Sequence, residues 1–244
     1  MMNLPPVVSH EQWLAARVKL LAREKELTRL RDELTDGRHH LPMVRIDKDY
    51  VFTGPRGEVG LLEFFDGCRQ LIVQHFMFDP GWEAGCPTCA AFTDELSPGI
   101  LARLRARDTA FALVSLAPFA KIMAYRERKG WPFAWYSSYG SDFNFDFHVT
   151  LDQAVAPVVY NYQSKEEILA AEPDCDLVDA GLSVEVPGIS CFLQDGGSVF
   201  HTYSVYDRGL ERIASADSLL DLTVLGSERE PFLTAVQPAS QLPA

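Results

Sequence analysis

Cys86-Pro87-Thr88-Cys89 puts two thiols one helical turn apart, directly behind an apolar run and a turn. The run, Arg69 to Phe78, reads as a buried strand; Asp79-Pro80-Gly81 signals a turn, and Ala90 to Leu96 continues a helix. Cys86 therefore falls at a helix N-terminus, where unpaired backbone N–H groups and the positive end of the helix dipole favour a thiolate. Such a setting lowers a thiol pKa from about 8.5 to between roughly 3.5 and 7.5. A pair at this spacing can open and close a disulfide by exchange through a mixed intermediate. Three readings stand open here: a redox dithiol, half of a zinc site, or a structural pair without chemistry. A zinc site needs two more ligands, and no second CxxC or HxxxH spacing is present. Cys68, Cys175, Cys191, His39 and His40 would have to converge in space.

Other chemistry is thinly represented. The chain has no GxGxxG, Walker loop, GxSxG or zincin motif, so no bound cofactor is expected. Five cysteines make an odd count without the density of a disulfide scaffold, which suits a reducing compartment. The N-terminal stretch Met1 to Val8 has no basic region and is too short for a signal peptide. No run approaches the roughly 18 apolar residues of a membrane span. A cytoplasmic protein is the expectation. The formal net charge of −12 is unevenly spread: 18 basic against 17 acidic side chains up to residue 140, then 4 against 17. The acidic second half argues against nucleic acid or an anionic membrane as a partner.

The elements that must position the thiols follow from periodicity. At 244 residues and 47% hydrophobic, the chain can bury a full core. Ser9, with Gln12 at capping-box distance, opens a helix to about Thr35. Trp13, Leu20, Leu27 and Leu34 recur on it every seven residues, with Ala16 and Leu30 beside them. This helix would cross the back of the domain or pair with a second subunit as a homodimer, and intramolecular packing is the preferred reading. Met43 to Ile46, Tyr50 to Thr53 and Val59 to Phe65 read as extended pieces around Gly54-Pro55-Arg56-Gly57. Behind the CxxC come a helix to about Arg107, a doubly buried strand Phe111 to Leu116, and a helix Pro118 to Lys129 ended by Gly130. Strand, helix, strand, helix in this order imply right-handed crossovers and a parallel core.

Trp131 to Phe147 carries eight aromatic residues; alternation at Phe143, Phe145 and Phe147 suggests a strand, and the segment reads as an aromatic wall beside the thiols or a separate apolar cluster. Residues 154–187 show little periodicity beyond a short helix near Ser164 to Ala171. Gly188 to Gln194 and Ser198 to Tyr203 form a hairpin around Asp195-Gly196-Gly197. Arg208 to Leu222 reads as a helix and Glu230 to Ala244 as a loose tail.

This order of elements resembles the thioredoxin-like fold. The phrases HFMFDPGWEAGCPTC, GWPFAWYSSYGSDFNFDF, PGISCFLQDGGSVFHTYSVYDRG and LLDLTVLG resemble a bacterial family of thioredoxin-like proteins of unassigned function, over most of residues 10–226. The resemblance implies an α/β domain at about 41–226, with a central mixed sheet, a helical extension at 1–40, an insert at about 140–187 and a tail from 227. It implies Cys86 as the attacking thiol and Cys89 as the resolving one, with Pro87 stiffening the turn and Thr88 completing the motif. Gly85 stands where a tryptophan commonly precedes the first thiol; Trp82 and Glu83 in the preceding loop are candidate pocket residues. The buried acid that helps deprotonate the resolving thiol aligns with His75, which becomes a candidate base. The cis-proline position opposite the dithiol aligns with Ser190, followed by Cys191, while Pro187 lies three residues earlier; a cis bond before a non-proline residue costs about 2.5–4 kcal/mol, so Ser190 is expected to be trans.

The implied activity is thiol-disulfide exchange, or a thiol-dependent reduction, on a disulfide-containing protein or an oxidised small molecule, with an external reductant. Two alternatives accompany it. One is a binding or scaffolding protein that presents the aromatic segment to a ligand. The other is a peroxiredoxin-like peroxidase, although the PxxxTxxC signature is absent at both Cys86 and Cys89.

Overall fold

The computed structural model describes residues 5–173, 175 and 183–212. Helix α1 spans His10–His39, four residues past the expected end, and Ser9 caps it through the capping box with Gln12. None of its residues is buried, so the expected packing across the back of the domain does not occur among the described residues. Strands β1 (Val44–Arg45), β2 (Val51–Gly54) and β3 (Gly57–Gly60) follow. Leu61–Phe65 coils into a 3₁₀ turn instead of continuing β3, which tucks Leu61, Phe64 and Phe65 into the core.

The central unit is β4 (Gln70–His75), α2 (Pro87–Asp94), α3 (Pro98–Arg105), β5 (Thr109–Ser115), α4 (Phe119–Lys129) and β6 (Ala134–Ser137). Gly130 ends α4 in the left-handed conformation that glycine adopts without a Cβ penalty. Beyond it come α5 (Phe143–Asp146), β7 (Thr150–Leu151), β8 (Val159–Tyr160), β9 (Gln163–Ser164), α6 (Lys165–Ala171) and β10 (Val184–Glu185). Phe143 to Phe147 is thus one helical turn, not the strand that its alternation suggested. The turn packs Phe143 against Phe147 in a tilted pair with ring centroids 4.5 Å apart. β11 (Gly188–Asp195) and β12 (Ser198–Tyr206) form the expected hairpin, and Gly196 and Gly197 both have positive φ, as a two-residue turn of that hand requires. Of the expected helix from Arg208, a 3₁₀ turn at Asp207–Arg212 is described; the remainder and the tail lie outside the described residues.

The eight-stranded sheet runs β1-β12-β11-β4-β5-β6-β2-β3. β4, β5 and β6 are parallel, while β11 lies antiparallel on the other side of β4. A β4-α2-β5 crossover beside an antiparallel hairpin is the thioredoxin-like arrangement expected above. Side chains alternate between the two faces of the sheet. One face joins Leu71, Val73, Ala112 and Val114 to Phe52, Phe64, Phe143, Phe147 and Phe192. The other joins Leu113 and Phe111 to Phe76, Phe78, Ile122, Trp131, Phe133, Trp135 and both motif cysteines. The aromatic segment is therefore split by the sheet: residues up to Trp135 pack on the cysteine side, and Phe143 and Phe147 on the opposite side.

Candidate functional site

The dithiol lies at the C-terminal end of the parallel strands. The chain leaving β4 is pinned there: Phe76 N–H donates to the Val114 carbonyl at 2.8 Å, and Cys86 N–H donates to the Met77 carbonyl at 3.0 Å. Lys121 Nζ ties the intervening loop to α4 by donating to the carbonyls of Pro80 and Trp82 at 2.7 and 2.9 Å. A Cβ on Gly85 would run into the Phe76 ring, which explains why glycine precedes Cys86. Cys86 caps α2 at its N-terminus, and Pro87 takes the first helical position, where no N–H is needed. Both thiols are buried, Cys86 at 4% and Cys89 at 3% exposure, whereas Glu83, Ala84 and Pro87 around them are exposed. The dithiol sits just beneath the surface.

The two thiols are electrostatically unequal. Cys86 is lowered to about 7, chiefly by a hydrogen bond from the Cys89 thiol; burial opposes this, and the N–H groups of Cys89 and Thr88 and the Thr88 hydroxyl reinforce it. Cys89 is pushed up by that same hydrogen bond, by burial and by the charge of Cys86, with a further contribution from Glu185. The outer thiol is thus the better anion, and the inner one holds the proton.

Strand alternation takes the candidate base His75 away from the thiols. Gln74, not His75, shares the cysteine face: its Nε2 donates to the Cys89 carbonyl at 3.5 Å, and its Oε1 accepts from Thr93 Oγ1 at 3.3 Å. His75 points to the opposite face, its Nε2 2.7 Å from Ser190 Oγ and its ring stacked on Phe147 at 5.8 Å. Burial, aided by His201, holds it down to about 3, so it is neutral. Ser190 pairs with Val73 inside β11 and shares the face of His75, away from the thiols; its peptide bond is trans, as expected for a non-proline residue, and no peptide bond among the described residues is cis. Pro187 immediately precedes β11, whose first residue, Gly188, pairs with His75 at the C-terminal end of β4.

The family model for a bacterial protein of unknown function (DUF899) matches residues 2–240. This chain belongs to that family. No curated protein matches the DUF899 chain. Among solved structures, it is similar to a mutant of PrxQ from Xylella fastidiosa, at 7% identity and TM-score 0.44, over 68% of this chain and 86% of that one. It is also similar to BsSco, a member of the Sco family of cytochrome c oxidase assembly proteins, at 13% identity and TM-score 0.37, over 78% and 98%. Likeness at this level carries nothing about chemistry.

The remaining candidate residues of the DUF899 chain divide by position. Trp82 is partly buried against the cysteine-side core, and Glu83 is exposed in the loop. Cys191 pairs with Ile72 on the cysteine face, its thiol raised to about 11 by burial alone. Cys68 and Cys175 pack on the opposite face, so these three cysteines do not assemble a second ligand pair beside the motif. Among the described residues, no three His, Cys, Asp or Glu side chains gather as metal ligands, and no helix is long and apolar enough to cross a membrane.

Sequence reading missed Glu185. It is 4% exposed, pairs with Thr150 across β7 and β10, and accepts hydrogen bonds from Thr150 Oγ1 and, at 3.5 Å, from Asn144 Nδ2. Asn144 Oδ1 in turn accepts from Ser138 Oγ at 2.7 Å. Burial raises Glu185 to about 8, against the Thr150 hydrogen bond and with help from Asp79. The signal was present in Val184-Glu185-Val186, a lone acid between two valines just ahead of β11.

Proposed function

We propose that this protein is a thiol-disulfide oxidoreductase, or a thiol-dependent reductase, working through Cys86 and Cys89. The observation that carries this reading is the placement of the pair: Cys86 holds the N-cap of α2 one turn ahead of the buried Cys89, an arrangement that lowers the outer thiol to about 7 and raises the inner one. Roughly half of Cys86 is then thiolate at neutral pH, close to the optimum for exchange.

In the reducing direction, the Cys86 thiolate attacks one sulfur of a substrate disulfide, forming a mixed disulfide and expelling the other sulfur as a thiolate, which takes a proton from solvent. Cys89 then gives up its proton and attacks Cys86 Sγ, closing the Cys86–Cys89 disulfide and releasing the second substrate thiolate. Two electrons pass from the dithiol to the substrate. An external dithiol returns them by the same exchange in reverse.

Trp131, Phe133, Trp135, Phe143 and Phe147 are buried in the two cores, which leaves only Tyr139 exposed and Tyr136 and Phe145 partly so for the ligand-surface alternative. The deciding test is the pH dependence of iodoacetamide labelling at each cysteine, followed by equilibration in dithiothreitol redox buffers. Cys86 labelling with a midpoint near pH 7 and a reversible Cys86–Cys89 disulfide are expected. A midpoint at the ordinary thiol value with no such disulfide would remove the redox reading.

A further inference from the structure

Among the described residues, helix α1 is an unpartnered surface with a patterned charge. It runs for 30 residues, about 45 Å at the usual rise. Trp13, Leu20, Leu27, Leu30 and Leu34 are 53, 51, 43, 51 and 58% exposed, so only the helix itself shades them. At its last turn Arg38 lies over the Tyr203 ring, 5.4 Å from the centroid, which anchors the helix to β12 while leaving its length uncovered. Most helical stability in proteins comes from packing of an apolar face, and none of the described residues covers this one.

The charges beside the stripe say what fits it. With Trp13, Leu20, Leu27 and Leu34 at the first position of successive heptads, the fourth positions are Ala16, Arg23, Leu30 and Gly37. The flanking positions hold Lys19, Glu26 and Glu33 on one side and Glu24, Arg31 and Arg38 on the other. In a parallel pair each flanking residue meets the one five positions on in its neighbour. Lys19 then faces Glu24, Glu26 faces Arg31, and Glu33 faces Arg38: every charged pair is of opposite sign. Glu24 accepts from Arg17 of its own helix at 2.9 Å, and its carboxylate has the capacity to take Lys19 as well. An antiparallel pair centred on the same stripe would set Glu24 against Glu24, Glu26 against Glu26 and Arg17 against Arg31, with Lys19 against Glu33 as its one attraction among these positions.

We infer that α1 pairs in parallel with α1 of a second copy of this chain, forming a coiled-coil homodimer that holds two dithiol domains at the same end. Arg23, the one charged residue in the stripe, packs toward Glu24 of the neighbouring helix. A single polar residue in such a seam costs stability and fixes register and strand number.

The experiment is light scattering coupled to size-exclusion chromatography on the full chain. Four variants accompany the wild type, with circular dichroism to confirm that each is folded. Because α1 has no buried residue among those described, the substitutions spare the core; Arg38 also touches Tyr203, and circular dichroism checks that its loss leaves α1 folded. The wild type is expected to be dimeric. Leu20→Asp with Leu27→Asp should be monomeric. Glu26→Arg with Glu33→Arg, and separately Arg31→Glu with Arg38→Glu, should each weaken self-association by at least about tenfold through like-charge pairing. Mixing these last two should restore a heterodimer. A monomeric wild type, or a dimer indifferent to the leucine substitutions, would overturn the inference; dimers of undiminished strength in both charge-reversed variants would overturn the parallel register. A fourth variant, Trp13→Ala, opens the end of the seam farthest from the domains and should weaken the dimer without dissolving it; a dimer of unchanged strength would count against the seam.

Discussion

His75 Nε2 lies 2.7 Å from Ser190 Oγ, on the face of the sheet that Cys86 and Cys89 do not occupy. Ser190 Oγ is 2.7 Å from Ser204 Oγ, which is 2.7 Å from His201 Nε2, so four polar groups form a line across β4, β11 and β12. Burial and the nearby His201 depress His75 from its ordinary 6.5 to about 3. The unfolded chain takes up this proton near pH 6.5, and the folded chain resists until about pH 3. The stability that this neutral histidine confers is present above pH 6.5 and is lost as pH falls through that window.

His75→Phe, which keeps the ring packing against Phe143 and Phe147, should therefore remove an acid-sensitive slope worth on the order of 3 kcal/mol by pH 4. Urea melts between pH 7 and 4 measure it. The same variant should leave the labelling profile of Cys86 unmoved, because the imidazole faces away from the thiols. A shifted Cys86 midpoint would return His75 to the active site.

Gly85→Ala tests the approach of the loop to Phe76. The added Cβ meets the ring of a side chain that is 1% exposed and boxed in by Trp131 and Trp135, with centroids at 5.8 and 4.8 Å. Overpacking of this kind costs about 1–3 kcal/mol. Phe76→Leu should relieve part of it, so the double mutant is expected to be more stable than the two single costs added together. Additive costs would show that the loop moves aside.

Much of this was legible in the sequence, and what was not had a physical reason. The β4-turn-CxxC-helix order, the α4 stop at Gly130 and the β11–β12 turn are local signals, written in residues a few positions apart. His75 was placed beside the thiols by alignment alone; a one-residue slip in strand register turns every side chain to the other face, and an apolar run buried on both faces gives no alternation to reveal it. Phe143 to Phe147 alternates in type yet folds as a helical turn because Tyr50, Phe52 and His75 receive two of its rings on one side. Glu185 enters the site through a pairing of β10 with β7, 35 residues apart, which no local pattern announces.

Glu185→Gln should act on pH dependence from the opposite direction to His75. Its carboxyl is raised from 4.5 to about 8, so the folded state holds a proton that the unfolded chain releases. The stability attached to that proton is full below pH 4.5 and is lost as pH rises toward 8. The glutamine variant should flatten this decline while keeping the Thr150 and Asn144 partners. It should also ease the release of the Cys89 proton, since the Glu185 charge raises Cys89. Faster closure of the disulfide from a mixed disulfide above pH 8, followed by stopped-flow tryptophan fluorescence, is the expected sign. An unchanged closure rate would show that the Glu185 charge does not reach the inner thiol.

Cys89→Ala separates the helix end from the inner thiol as causes of Cys86 acidity. The largest contribution to lowering Cys86 is the hydrogen bond from Cys89; the backbone N–H groups of Thr88 and residue 89 and the Thr88 hydroxyl remain in the variant. Cys86 should therefore rise part of the way toward its ordinary value, and a rise of one pKa unit from 7 would cut the thiolate population at pH 7 about fivefold. Thr88→Val, which removes only the hydroxyl, should produce a smaller shift in the same direction. The Cys89→Ala variant also lacks the resolving thiol, so incubation with glutathione disulfide should accumulate a Cys86 mixed disulfide detectable as a mass increase on the intact chain, whereas the wild type should pass through it to the internal disulfide. A Cys86 midpoint that stays near 7 in the alanine variant would assign the acidity to the N-terminus of α2 alone and reduce Cys89 to its resolving role.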